Sequence, residues 1–376
     1  MLVGLSLASY IYMVFKNSDA APAMASAGAI AGVSVSAFFG AFYLFVKKKK
    51  DRRESLSSLA ETSRKVQSNK TILKNLIRIA VPITIGSCFL FVLDAADSSI
   101  INARLASYLP EKEAAQLYGS WGPAMRIFDL PGAIIIPVAT SLIPLISAAL
   151  TQQDYRRVSR SATSAIRITL LITVPCAVGF FLFGEPIAKT IYFSKQATSD
   201  VIGMLLTTIS AGVVFNGLLY TTNSLMQAMG NVKQPVINMA IGGIVRILLN
   251  YYLIGIPVIN IRGSAISSTI SYLVTLILNL ISVYKLVPQT ENILLSFIPT
   301  ALASALMGLA SYFSYQWLCL LINPKIALFA AICIAVIVYI PAAILLRAIR
   351  KSELEMLPKG KKIAEIFHLY EGAHFG

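Results

Sequence analysis

The chain has 376 residues, of which 56% are hydrophobic and 13% charged, and its mean hydropathy is +0.73. A soluble domain carries about 25% charged residues, so an ordinary soluble fold is excluded, and continuous apolar runs argue against a β-barrel, whose strands alternate apolar and polar residues. The net charge of +15 does not imply nucleic-acid binding: there is no basic soluble domain to hold it, and membrane proteins gather Lys and Arg in cytoplasmic loops.

Ten apolar segments follow in chain order: 2–15, 23–46, 72–101, 118–150, 158–183, 198–228, 234–256, 262–286, 292–320 and 324–346. Most reach the ~20 residues needed to span a bilayer. The expectation is an all-α polytopic membrane protein with about 10 transmembrane helices. Segment 2–15 is short, about 22 Å of helix against a hydrocarbon core of ~30 Å. A signal peptide would need a basic stretch before it, and none is there, so a span cut by the start of the record fits better. The region 47–74 holds ten Lys/Arg against three acids and is expected to be cytoplasmic. Counting hairpins onward puts 21 Lys/Arg inside, 7 outside and 4 within spans (Arg78, Arg126, Arg167 and Arg246). That bias predicts cytoplasmic basic loops and a cytoplasmic C-terminus.

The four cysteines are scattered through apolar segments and the two histidines, His368 and His374, lie in the tail. No metal site, cofactor site, phosphate loop or catalytic constellation emerges, so a non-enzyme is expected.

Ionisable residues inside spans are costly and usually face protein or a watery cavity. Arg126 and Asp129 stand three residues apart in GPAMRIFDLPGAIIIPV, among prolines 123, 131 and 137, and that spacing places them on one helix face. Asp94 and Asp97 have the same spacing; they are an interfacial acid pair, a site for a coupling cation, or partners for Arg126. Arg246 is too deep to snorkel to either surface and shares a four-residue repeat with Asn238, Gly242 and Asn250; it needs an anion or a wet cavity. Asn216, Tyr220, Asn223 and Gln227 form a polar helical stripe, read either as interhelical hydrogen bonding or as the lining of a path. Ser264, Ser267, Ser268 and Ser271 read as small residues that permit close helix approach. Arg78 and Arg167 are expected to reach headgroups. Together these residues suggest a transporter for something anionic.

IRIAVPITIGSCFLFVLDAADSSIINARL, followed by YGSWGPAMRIFDLPGAIIIPVATSLIPLISAAL, resembles the seventh and eighth helices of the polysaccharide-flippase branch of the multidrug/oligosaccharidyl-lipid/polysaccharide exporter superfamily, in its lipid II flippase and stage V sporulation protein B group. LLYTTNSLMQAMGNVKQPVINMAIGGIVRILLNYYLI and RGSAISSTISYLVTLILNLISVYKL resemble that group's next hairpins. The resemblance implies helices 5–14 of a two-lobe, fourteen-helix fold: 1–46 the end of a truncated first lobe, 47–71 a linker, 72–286 the second lobe, 287–346 an extra helix pair and 347–376 a tail. It further implies flipping of an undecaprenyl-pyrophosphate-linked precursor such as lipid II by alternating access. The headgroup cavity would take Arg126, Arg246, Asn250, Asn216, Asn223 and Gln227, with Asp94, Asp97 and Asp129 pairing charge or binding a coupling ion. The implied partners are a lipid-linked oligosaccharide, the phospholipid bilayer and a coupling cation. Two alternatives stay open: a drug/cation antiporter of the same superfamily, and an inactive fragment or scaffold partner in cell-wall assembly.

Overall fold

Every described element is a helix, as expected where long apolar runs must satisfy their own backbone groups in lipid. The computed structural model describes residues 2–15, part of 24–47, 69–193, 196–286, 293–346 and 348. Most of the 47–71 linker, nearly all of the 347–376 tail with both histidines, and the side chain of Arg78 lie outside the described residues. The chain forms two compact units, Met1–Leu76 and Ile77–Gly376. The first contains α1 (Leu2–Val14) and helical residues between 24 and 47, and α2 (Asn69–Ala106) starts in it.

The second unit contains the rest of α2, then α3 (Glu111–Phe128), α4 (Leu130–Thr151), α5 (Tyr155–Ile191), α6 (Gln196–Ile209), α7 (Gly212–Ala228), α8 (Lys233–Ile254), α9 (Arg262–Leu286), α10 (Ile293–Leu321) and α11 (Pro324–Leu345). Six helices among the described residues are long and apolar enough to cross a membrane, and the α6–α7 pair, bent by 61°, makes a seventh. The bent pair occupies the expected 198–228 segment. The expected 118–150 segment is also two helices: α3 stops at Phe128, Asp129 is the joint, and Pro131 opens α4. Proline at a helix start lacks only an N–H that has no helical partner there, so the break costs little.

The long α5 is the hub, packing against α4, α6, α7, α10 and α11, while α8 packs mainly on α9. One apolar core gathers Trp121, Phe128, Ile202, Leu205, Leu206, Ile209 and Ile254; another gathers Leu142, Ile146, Leu170, Leu218, Leu225 and Leu276. Large apolar side chains on α10 and α11, such as Phe313, Trp317, Phe329 and Ile337, are exposed, as lipid-facing residues are. Association of helices in lipid rests on close packing rather than on apolar burial, and α8–α9 is the plainest case. Ser264, Ser267, Ser268 and Ser271 of α9 are all buried, the Ser271 hydroxyl donates to the Gly242 carbonyl at 2.7 Å, and a Cβ on Gly242 would collide with Thr275 Oγ1.

Gly242→Ala should therefore lower stability by about 1–3 kcal/mol through overpacking. Gly179→Ala, on α5 where a Cβ meets nothing within 4 Å, should stay within about 0.5 kcal/mol of the parent. Unfolding of the two purified variants in detergent would compare them.

Candidate functional site

Two helices that run parallel, α2 and α8, meet along a seam of named contacts. A Cβ on Gly243 would touch Leu93 Cδ1 at 3.0 Å. Further along, the Arg246 Nη2 lies 2.6 Å from Asp97 Oδ2 and its Nη1 3.7 Å from Asp94 Oδ1, while the Asn250 amide donates to Asp97 Oδ1. At the far end Arg104 donates from Nε to the Tyr251 carbonyl at 3.0 Å and stacks over the Tyr251 ring at 4.4 Å. The Tyr108 hydroxyl donates to the Ile254 carbonyl at 2.9 Å. Burial pushes the Tyr108 phenol above its ordinary pKa, with Arg104 opposing, and so keeps it a neutral donor. A cation and a hydroxyl on the last carbonyls of α8 complement both the orphan acceptors and the negative end of the helix dipole.

Burial grades the charges in this seam. The Asp97 side chain is 3% exposed, Arg246 21% and Asp94 70%, and Asn250 is completely buried. A carboxylate as enclosed as Asp97 costs several kcal/mol unless an opposite charge and hydrogen bonds meet it, and here one oxygen faces a guanidinium and the other an amide. The acid pair of α2 thus serves Arg246, not Arg126. Asn250, expected along the cavity, is sealed against Asp97.

Arg126 and Asp129 stand at the α3–α4 joint, both exposed, and no ion pair or hydrogen bond joins Arg126 to another described residue. Arg126 stands in the last turn of α3 and Asp129 caps it in helical conformation, its N–H still donating to the Met125 carbonyl at 2.9 Å, so the i, i+3 spacing is kept up to the break. Tyr220 of α7 lies against Gly132 and accepts the Asn216 amide at 3.5 Å. Phe128 stacks on Tyr272 of α9 at 5.9 Å. That stack ties the end of α3 to α9.

The polar stripe of α7 divides. Asn216 belongs with Tyr220 and Asp129. Asn223 accepts from Asn279 of α9 at 2.8 Å, and Asn279 also donates to Thr222 at 3.0 Å and accepts from Asn238 of α8 at 2.8 Å. Gln234 closes this amide network by donating to Asn238 at 3.1 Å. Gln227 is exposed beyond it. Arg167, expected to reach headgroups, is buried at 7% exposure. Arg104, Tyr108, Tyr272, Thr222 and Asn279 were missed as site residues. Asn279, an amide deep in an apolar run, carried the one signal that could have found any of them.

A family model described as Lipid II flippase MurJ matches residues 5–347. An uncharacterized membrane protein of Bacillus subtilis (strain 168), YabM, is 24% identical over 99% of this chain and 68% of its own length. Stage V sporulation protein B of the same organism is 24% identical over 89% of this chain and 63% of its own length. A solved lipid II flippase MurJ in an inward closed conformation superimposes with a TM-score of 0.62 at 17% identity, covering 92% of this chain and 67% of that one. The chain thus spans about two thirds of the length of each of these relatives.

Removing the guanidinium strands a buried carboxylate. Arg246→Ala should cost about 3–5 kcal/mol, and Asp97→Asn added to it should restore part of the loss. Asp94→Asn, at a solvated position, should cost no more than about 1 kcal/mol. Thermal unfolding of the four proteins, parent included, completes the comparison.

Proposed function

The chain belongs to the lipid II flippase MurJ family, and on that premise we propose that it serves in moving an undecaprenyl-pyrophosphate-linked cell-wall or polysaccharide precursor, such as lipid II, across the bacterial cytoplasmic membrane by alternating access. One observation carries the proposal: Arg126 is an exposed guanidinium with no described partner, at a joint between two helices whose adjoining stretches are apolar. A lone guanidinium facing lipid would be costly. Facing a cavity it is a receptor for an anion, and its planar fork suits the paired oxygens of a phosphate.

The surrounding residues support the same reading. Asp129 on the joint and the polar Tyr220–Asn216 pair border the position that a headgroup would take, while the charge of Arg246 is met by Asp97 and Asp94 and leaves Arg126 to supply the attraction. Asn223 and Gln227 continue the polar surface along α7, while Asn250 acts through Asp97 rather than by touching a ligand. Pro131 removes one helical N–H at the joint, and a gate between α3 and α4 would bend there. The basic loops and the C-terminus lie on the cytoplasmic side, where the excess of Lys and Arg belongs. Binding, release and a change of access are sufficient, and no covalent step is needed.

Vesicles reconstituted with the protein and a fluorescent undecaprenyl-pyrophosphate-linked sugar provide the test. Arg126→Ala should abolish translocation while leaving expression and thermal stability intact, and should weaken precursor binding on the order of 10- to 100-fold, the worth of a charged hydrogen bond. Arg126→Lys should keep part of the binding. Unchanged flipping by Arg126→Ala would remove this residue from the mechanism. Uptake of cationic dyes in place of the precursor would favour a drug antiporter.

A further inference from the structure

The seam between α2 and α8 has the makings of a site for a small hard cation. It has two carboxylates, one of them nearly sealed, and it has buried oxygens without partners: Asn250 Oδ1, Ser264 Oγ and Ser268 Oγ, on residues that are all 0% exposed. The two serines lie on α9 between Gly263, which touches the end of α8 at Leu253 and Ile254, and Ser271, which bonds Gly242. That register sets them at the level of Arg246 and Asn250. Oxygen donors with excess negative charge are what alkali and alkaline-earth ions select.

The position is already taken. We infer that the Arg246 guanidinium is a resident cation, standing where a transported coupling ion would otherwise sit, so that this seam takes up no alkali cation. The Nη2–Oδ2 distance of 2.6 Å leaves no room for an ion between the two groups. An arginine stays protonated at any physiological pH, so it does not vacate the site by titration. An entering ion would have to displace the guanidinium, and that would leave the arginine's charge uncompensated in an apolar wall, at a cost of several kcal/mol. The Nε of Arg246 also lacks a hydrogen-bond partner. The guanidinium is therefore held by charge and by its place in the seam rather than by a full set of acceptors.

The consequence for transport rests on the flippase reading: the substrate's cycle would not be driven by a sodium gradient acting on Asp94 and Asp97. The test does not rest on that reading, because it measures stability and not translocation. The purified protein is unfolded thermally in NaCl, LiCl, KCl and choline chloride at one ionic strength. The parent should show the same Tm in all four, and so should Arg246→Lys, which keeps the charge. Arg246→Ala opens the site and should gain a saturable, cation-specific rise in Tm of about 2–4 °C at tenfold excess over Kd. Asp97→Asn in that background should abolish the rise. Arg246→Gln, which keeps the bulk and loses the charge, is the second variant should Arg246→Ala prove too unstable, and it is read in the same way. A saturable sodium-specific stabilisation of the parent would overturn the inference. So would charge-removing variants that respond no differently to sodium than to choline.

Discussion

One buried ion pair ties α2 to α8. Asp97 is almost closed off from solvent, so it can exist as a carboxylate only because Arg246 and Asn250 reach it from α8. The constraint is mutual, since a guanidinium at that depth has no route to either membrane surface. Each charge makes the other tolerable, and both depend on α2 and α8 lying side by side in one register. The Leu93–Gly243 contact before the pair, and the Arg104 and Tyr108 bonds to the end of α8 beyond it, hold that register.

The seam in turn depends on α9. Its buried serines and the absence of a side chain on Gly242 bring α8 and α9 into backbone contact, and α9 then joins α8 to the core around α5. The amide network from Gln234 through Asn238 and Asn279 to Asn223 repeats this logic at the other end of the hairpin. Polar groups enclosed by helices have no water to turn to, so their satisfaction specifies which helix lies beside which. Arg126 is the contrast. Its charge has no partner among the described residues, and a charge left open at a helix joint is available to a ligand.

Legibility differed sharply between scale and detail. The helices were readable because a continuous apolar run of about 20 residues has few other stable forms in a bilayer. Pro131 marked the α3–α4 joint, yet an unbroken segment 118–150 was expected, because proline inside a hydrophobic run is compatible with either a kink or a stop. The 61° bend between α6 and α7 had still less to announce it, since Ser210, Ala211 and Gly212 are ordinary in a span. The acids at 94 and 97, and the arginines at 126 and 246, stood out because charge in an apolar run is rare.

The sequence by itself determined a multi-pass helical membrane protein, its family, and the short roster of charged and amide residues that lipid cannot tolerate unaided. These follow from local composition, which the bilayer tests segment by segment. Tertiary structure alone decided the pairings: that Arg246 and not Arg126 takes the acids of α2, that Asn250 is sealed in, that Arg167 is buried, and that Arg104 and Tyr108 end α8. Residues 97 and 246 are 149 positions apart, and no periodicity along one chain encodes which of two arginines will face a given carboxylate. That choice belongs to helix packing, which sets Gly243 against Leu93 and so brings Arg246 within reach of both acids.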